Sequence, residues 1–510
     1  MAAQESLDTS VLRRSSTTVL PIDTLPSFLI TAKDRSYRFQ YASIYFIRLG
    51  LLRQFVEKNA VKLWKGLNGN PVAVPRVLEV TKGQLCYIIG TVYMDMPLKP
   101  NVLDDIGRDF SLPAPPQPPC YYSDDDNIML EDESGRIKLV GERLKDARLV
   151  TGVVMGALGM ETPVGDFEVA DFCFADMAPQ VSQDDIPCDD MDVDPDGPNP
   201  RDEWIAVVSG LDIGSPTIDD AKTQMMVEYL TGEAGEVEGQ SSSTQISRLI
   251  VAGNSLIPSM EHGDVVHEHR PRRPEQEITP VSPHPILGLT ALLNDVSQTM
   301  PVHVLPGKND PAGILLPQQP FPRTMFGQVS KLNTFHCETN PTYLHIRCDE
   351  EAPVERTILI NSGQPLDDIF KYLPTPPTTR LDVLEATLRW RHMAPTAPDT
   401  LWCHPYYTKD PFLLTSTPDL YIVGCQKMFG TRLIKQNQQK CRIVMVPNFS
   451  NTGILVLVNV RTLDVRTIRF GTDSGDDIED DVGLPADPLS STNATTESVS
   501  APSSTQDMEA

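Results

Sequence analysis

Trp204-Ile-Ala-Val-Val208, followed by Ser209-Gly-Leu-Asp-Ile-Gly-Ser215, is the stretch that decides how the chain is read. Five apolar residues predict a buried strand. The polar, glycine-containing turn behind them predicts a loop that such a strand delivers to a sheet edge. Three later stretches repeat the pattern. Leu249-Ile-Val-Ala252 runs into Gly253-Asn-Ser-Leu-Ile257, Val302-His-Val-Leu305 into Pro306-Gly-Lys-Asn-Asp310, and Leu420-Tyr-Ile-Val423 into Gly424-Cys-Gln-Lys427. Open α/β sheets carry their sites at such strand ends, so one shared edge is expected. The leading loop holds a single carboxylate, Asp212, and no histidine.

Around these loops the pattern alternates between helix and strand. Pro216-Thr-Ile-Asp-Asp220 predicts a helix start with Thr217 and Asp220 as a capping box. Helical spacing returns through Leu289, Leu292, Leu293 and Val296, and again behind Thr379-Arg-Leu-Asp382. Strands are predicted at 442–446, 453–459 and 465–470, while 231–246 and 261–281 read as surface insertions. Such alternation, closing on antiparallel strands, fits a β-sandwich flanked by helices.

Upstream, residues 1–39 read as extended. Residues 40–77 are a helical segment, with Ile44, Ile47, Phe55, Val56, Ala60 and Leu63 near helical spacing. From residue 78 the period becomes that of strands: Gln84–Met94, Asn127–Glu131, Ile137–Val140, Leu149–Met155 and Asp166–Phe172. Five short strands with interior glycines over 78–178 suit an OB-type barrel. The whole is a multidomain α/β plus β chain.

The net charge of −26 is unevenly placed. Residues 471–510 hold ten Asp/Glu and no Lys/Arg, and residues 179–203 hold nine Asp/Glu and one Arg. Both are read as segments that do not fold, a linker or loop at 179–203 and a tail at 472–510, because charged tracts bury too little apolar surface to offset chain entropy. The barrel region has eighteen Asp/Glu against eight Lys/Arg. A single-strand groove needs a positive track, so little direct DNA binding is expected. No apolar run is long enough for a bilayer, the start lacks an apolar leader core, and nine scattered cysteines suit a reducing compartment. His262, His267 and His269 read as a solvated loop, and no cofactor is expected.

The order and framing of the four loops resemble the calcineurin-like metallophosphoesterases. That resemblance places a metal-binding carboxylate at Gly210 and a histidine at Asp212. It places the metal-bridging aspartate at Asn254, an Asn-His pair at Lys308 and Asn309 with the acidic partner surviving as Asp310, a lone histidine at Ser362, and two last histidines at Cys425 and Lys427. Two-metal hydrolysis needs hard or borderline ligands at those places. Glycine, serine and lysine cannot supply them, so the resemblance implies a frame without its chemistry. An active phosphodiesterase or nuclease is the competing reading.

The pairing of such a barrel with such a frame resembles the B-subunits of the eukaryotic replicative DNA polymerases, above all those of polymerase delta. The residues that carry this are Tyr45-Phe-Ile-Arg-Leu-Gly-Leu-Leu-Arg53, Tyr93-Met-Asp-Met-Pro-Leu-Lys-Pro-Asn-Val-Leu-Asp104, Leu130-Glu-Asp-Glu-Ser-Gly-Arg-Ile137, Phe321-Pro-Arg-Thr-Met-Phe326, Asn361-Ser-Gly-Gln-Pro365 and His404-Pro-Tyr-Tyr407. The resemblance implies a non-catalytic scaffold in DNA replication and repair, located in the nucleus. It implies two partners: the metal-binding C-terminal domain of the catalytic subunit and a third, elongated subunit. A B-subunit of another replicative polymerase is the alternative, and partner-contact residues stay open.

Overall fold

Strand β1 (Thr18–Leu20) and helix α1 (Ala42–Trp64) precede a small β domain made of β2 (Val72–Ala73), β3 (Cys86–Asp95), β4 (Asn127–Glu131), β5 (Arg136–Val140), β6 (Val154–Glu161) and β7 (Phe167–Cys173). The structure, a computed structural model, describes residues 13–22, 24–67, 71–100, 118–145, 147–180, 202–215, 220–234, 237–257, 283–348, 353–436, 438–471 and 496–499. The strands follow the order β2-β3-β4-β5-β7-β6, and β3 also pairs with β6, which closes the barrel. Helix α1 packs on its outside through Leu49, Leu52, Val56, Ala60 and Trp64, a three-to-four spacing, against Tyr87, Ile89, Val154 and Leu158. Trp64 Nε1 is tied to Asp171 Oδ2 at 2.9 Å.

Two expectations for this region need correction. Phe55 and Leu63 point to solvent, while Leu49, Leu52 and Trp64 face inward. The helix has more apolar residues than one buried stripe can take. The fourth predicted strand, 149–155, starts only at Val154, because the chain turns at Gly152 (φ 93°), where a Cβ would lie 1.9 Å from the Pro395 carbonyl oxygen.

The larger body begins with β8 (Trp204–Val208), α2 (Asp220–Thr231), α3 (Val237–Thr244), β9 (Ile246–Ala252), α4 (Pro283–Thr299), β10 (Val302–Leu305) and β11 (Phe335–Cys337). It continues with β12 (Thr342–Arg347), β13 (Glu355–Asn361), α5 (Gln364–Ile369), α6 (Arg380–Trp390), β14 (Leu420–Gln426), β15 (Gly430–Gln436) and β16 (Gln439–Pro447). It ends with α7 (Phe449–Thr452), β17 (Ile454–Asn459), β18 (Val465–Phe470) and β19 (Thr496–Val499). One sheet runs β1-β12-β13-β14-β16-β15, the other β11-β10-β9-β8-β17-β18-β19. Val207, Ile250 and Leu305 of the second sheet share a core with Ile360, Ile422 and Val444 of the first, so the two sheets face each other. The central strands β8, β9 and β10 are parallel, and their apolar runs are buried on both faces. Helix α6 opens on a complete capping box of Thr379 and Asp382.

Residues 231–246 are less of an insertion than expected. Val237–Thr244 within them form α3, and Arg14 ties this part down by donating to the carbonyls of Leu230, Ser243 and Ile246. Thr217, the stretch 258–282, all of 181–201 and all of 472–510 except 496–499 lie outside the described residues. Within the last, Thr496–Val499 pairs in parallel with β18.

Barrel and body share one core. It runs from Ile88, Val92 and Phe167 of the barrel to Leu384, Leu388, Trp390 and Phe412 of the body. Arg48 of α1 is fully buried in this joint. Its Nε lies 2.9 Å from Asp410 Oδ2, and its other nitrogens donate to the carbonyls of Gly152 (3.2 Å), Pro395 (2.8 Å) and Ala397 (2.8 Å). Asp410 also holds His392 Nε2 at 2.9 Å.

Candidate functional site

The loops behind β8, β9, β10, β13, β14 and β16 meet at one edge of the two sheets. Gly210 N–H donates to Gly253 O (2.9 Å) and Asp212 N–H to Asn254 O (3.1 Å), which joins the first loop to the second. Asn309 N–H donates to Asn254 Oδ1 at 3.0 Å and brings in the third. Ser209 Oγ accepts from Cys425 N–H (2.9 Å) and sits 3.1 Å from Val446 O. Ser450 N–H donates to Gly210 O at 2.9 Å. Ser362 N–H donates to Asn340 Oδ1 (3.0 Å), and Asn340 Nδ2 returns a bond to Ser362 Oγ (2.6 Å).

Six of the eight sequence-derived positions, Gly210, Asp212, Asn254, Asn309, Ser362 and Cys425, thus lie in this interlocked set. Lys308 and Lys427 stand at its rim with exposed side chains. The packing leaves no room at the first position. A Cβ on Gly210 (φ 61°) would lie 2.2 Å from Asn448 Oδ1, and one on Gly253 (φ 90°) 2.4 Å from Ser362 Cβ. The carboxamide of Asn448 fills the space where the phosphoesterase resemblance would put a carboxylate. Asn448 escaped the sequence reading. Its signal was available, since Pro447-Asn448 follows the apolar run 443–446 as the other loops follow theirs.

Asp212, Asn254 and Cys425 have left-handed backbones, with φ of 46°, 51° and 54°. Non-glycine residues adopt this region rarely, and such strain clusters at functional sites. Burial pushes the Asp212 carboxyl up, while the side chains of Ser450 and Asn309 pull it down. Asp310 is pinned, Oδ1 by Leu256 N–H (2.9 Å) and Oδ2 by Gly307 N–H (2.7 Å). Burial pushes its pKa to about 6 against those bonds. Burial and the nearby Asp310, Asp212 and Asp367 carboxylates raise the Cys425 thiol well above its ordinary value. A raised thiol is a poor metal ligand and a poor nucleophile. This donor set does not fit a two-metal centre: the Asp310 carboxylate is committed to backbone N–H groups, the Cys425 thiol is pushed toward its protonated form, and lysines stand at two of the positions that the resemblance would give to ligands.

The chain has relatives that share this architecture. Residues 40–172 match the OB-fold domain of the DNA polymerase delta subunit, and residues 205–431 match the B-subunit of DNA polymerases alpha and epsilon. The small subunit of DNA polymerase delta from Arabidopsis thaliana is 37% identical over 434 residues, spanning 85% of this chain and 91% of that protein. Its counterpart from Oryza sativa is 36% identical over 436 residues, spanning 85% and 93%. The Saccharomyces cerevisiae one is 33% identical over 480 residues, spanning 87% and 92%. An OB-fold domain joined to a B-subunit domain defines the class: an accessory subunit of a replicative DNA polymerase. The chain belongs to the DNA polymerase delta small-subunit family. Among the described residues no helix is long and apolar enough to cross a membrane.

Proposed function

We propose that this chain is a non-catalytic scaffold. It holds the catalytic subunit of polymerase delta through that subunit's metal-binding C-terminal domain, and it docks a third, elongated subunit. It works in replication and repair in the nucleus, and it touches DNA little by itself. Its larger body is a calcineurin-like phosphoesterase β-sandwich that has lost its ligands. The observation that supports this is the filled loop cluster. Six strand ends converge with the strained backbone of a site, while Asn448 fills the space into which a side chain at 210 would project and Ser362 closes on Gly253. An active metal-dependent phosphodiesterase would need that space open.

Two measurements test the reading. Native purification of the tagged chain with mass spectrometry should recover the catalytic subunit of the polymerase. Metal analysis after dialysis should find no stoichiometric metal, with no manganese-dependent phosphodiester hydrolysis. Two tightly held metals, with turnover abolished by Asp212→Ala, would sink the scaffold reading.

A further inference from the structure

The strap ahead of α1, residues 33–41, lies against the loop 402–409. The Asp34 carbonyl is 3.1 Å from His404 Nε2, Tyr37 meets the His404 ring edge-on at 5.3 Å, and Phe39 stacks on Tyr407 at 4.4 Å. These contacts fix the strap and still leave its aromatic surface in water. Tyr37 is 67% exposed, Trp402 60% and Tyr407 55%. Helix α1 extends the surface with Phe46, 58% exposed. One turn on stands Gly50, where nothing in the described chain lies within 4 Å of an added Cβ. Glycine in mid-helix destabilises the helix relative to alanine. Among the described residues no neighbour requires one here, whereas the close approach of a second backbone would.

The charge of this surface opposes that of the chain. Lys33, Arg35, Arg38 and Lys409 are exposed, and none of them forms an ion pair among the described residues. Asp34 is the strap's carboxylate, and it already accepts from the Thr31 hydroxyl at 2.8 Å. Exposed Tyr, Trp and Phe beside unpaired Arg is the composition of an interface centre.

We propose that the strap 33–41, the loop 402–409 and the first half of α1 form the docking surface for the polymerase's catalytic subunit, which engages it with an acidic segment carrying apolar side chains. Carboxylates of that segment pair with Arg35, Arg38 and Lys409. Its apolar side chains cover Phe39, Tyr407 and Phe46, and its backbone passes over Gly50. This rests on the scaffold reading and adds to it the place and chemistry of the contact. Relatives named as small subunits of a polymerase point to the larger subunit as the partner, and four cations without an ion pair among the described residues, on a chain of net charge −26, call for an acidic one. Single-stranded nucleic acid fits less well. Bases stack on free ring faces, and Phe39 and Tyr407 already cover one face of each other. The field of the whole chain also repels phosphates.

The test uses the full chain and the purified catalytic subunit, with their affinity measured at low and at physiological salt. Three variants are compared with the wild type: the charge reversal R35E/R38E/K409E, the ring deletion F39A/Y407A, and G50L, which adds bulk while favouring helix. Each is expected to weaken association at least about tenfold. The charge reversal should have its larger effect at low salt. Melting temperatures should stay near wild type, since these side chains are exposed. Unchanged affinity in all three variants overturns the docking surface. So does intact subunit association combined with lost binding of a labelled oligothymidylate, which would assign the surface to nucleic acid. A wild-type chain that fails to bind the catalytic subunit overturns the scaffold reading itself, and the docking surface with it.

Discussion

Replacing Arg48 by Met should loosen the joint between barrel and body. The arginine is fully buried and satisfies four acceptors at once: Asp410 Oδ2 at 2.9 Å and the carbonyls of Gly152, Pro395 and Ala397 at 3.2, 2.8 and 2.8 Å. Met keeps an unbranched apolar stem, stops short of the guanidinium and supplies no donor. Breaking one side of a buried ion pair costs about 3–5 kcal/mol, because the remaining charge stays buried. His392 still donates to Asp410, which holds the loss toward the lower end of that range. Arg48→Lys should recover little, since one ammonium cannot present a guanidinium's separated donors to four acceptors. Arg48→Met combined with Asp410→Asn should recover part of the loss by removing the unpaired charge. The assay is scanning calorimetry with urea unfolding followed by tryptophan fluorescence. A fall in melting temperature of about 4 °C is expected for Arg48→Met in a cooperative unit of this size. A loss below about 1 kcal/mol, or full rescue by lysine, would refute the reasoning, because it would mean that the joint's acceptors are satisfied some other way.

The same joint should weaken in acid: Ala394 N–H donates to His392 Nδ1 (3.1 Å), so the ring proton sits on Nε2 facing Asp410, and burial holds the His392 pKa down at about 4. A histidine neutral in the fold and ordinary when unfolded gives stability that is present above pH ~6.5 and lost as pH falls toward ~4, about 2 kcal/mol between pH 7 and 5, and unfolding of His392→Gln across that range should show a shallower slope. Gly210→Asp should destabilise by about 2 kcal/mol or more and bind no manganese, since its side chain would collide with Asn448, and Gly210→Asp with Asn448→Gly should regain stability; calorimetry and a metal titration check both. Removing residues 472–510 deletes the four-residue β19 and should lower the melting temperature by no more than about 3 °C, whereas cutting before Phe470, a buried residue of β18, should give insoluble protein.

The strand–loop units were legible because fully buried parallel strands read as unbroken apolar runs, as in Ile205–Val208 and Leu249–Ala252. Thr342–Arg347 alternates buried and partly exposed positions, and Gly430–Gln436 is an edge strand with few fully buried residues, so neither announced itself. Arg48 was not legible either. An arginine in a helix reads as a solvent-facing residue until Asp410, more than three hundred positions away, is known to lie beside it. The candidate site was legible in its loops but not in its filling. Which side chain occupies the space beside Gly210 depends on the end of β16, which sequence spacing does not connect to β8. The exposed rings Phe46 and Tyr407 likewise look like core residues on paper, and only the packing shows them outside.

Both ends of the acidic stretch 181–201 are fastened to the same body. Gln180 bonds to Asp419 Oδ1 (2.8 Å) and to the Lys440 backbone, and Asp202 accepts from Asn459 (3.2 Å). Among the described residues the relative position of barrel and body is set by the shared core and the Arg48 clasp, and not by these two anchors, which lie on one body. Changing the number of residues between the anchors need not shift barrel against body: doubling the length of a flexible loop adds only about 0.6 kcal/mol of closure entropy. A variant with residues inserted or removed between positions 180 and 202 should therefore keep the surfaces offered to the rest of the polymerase in their positions.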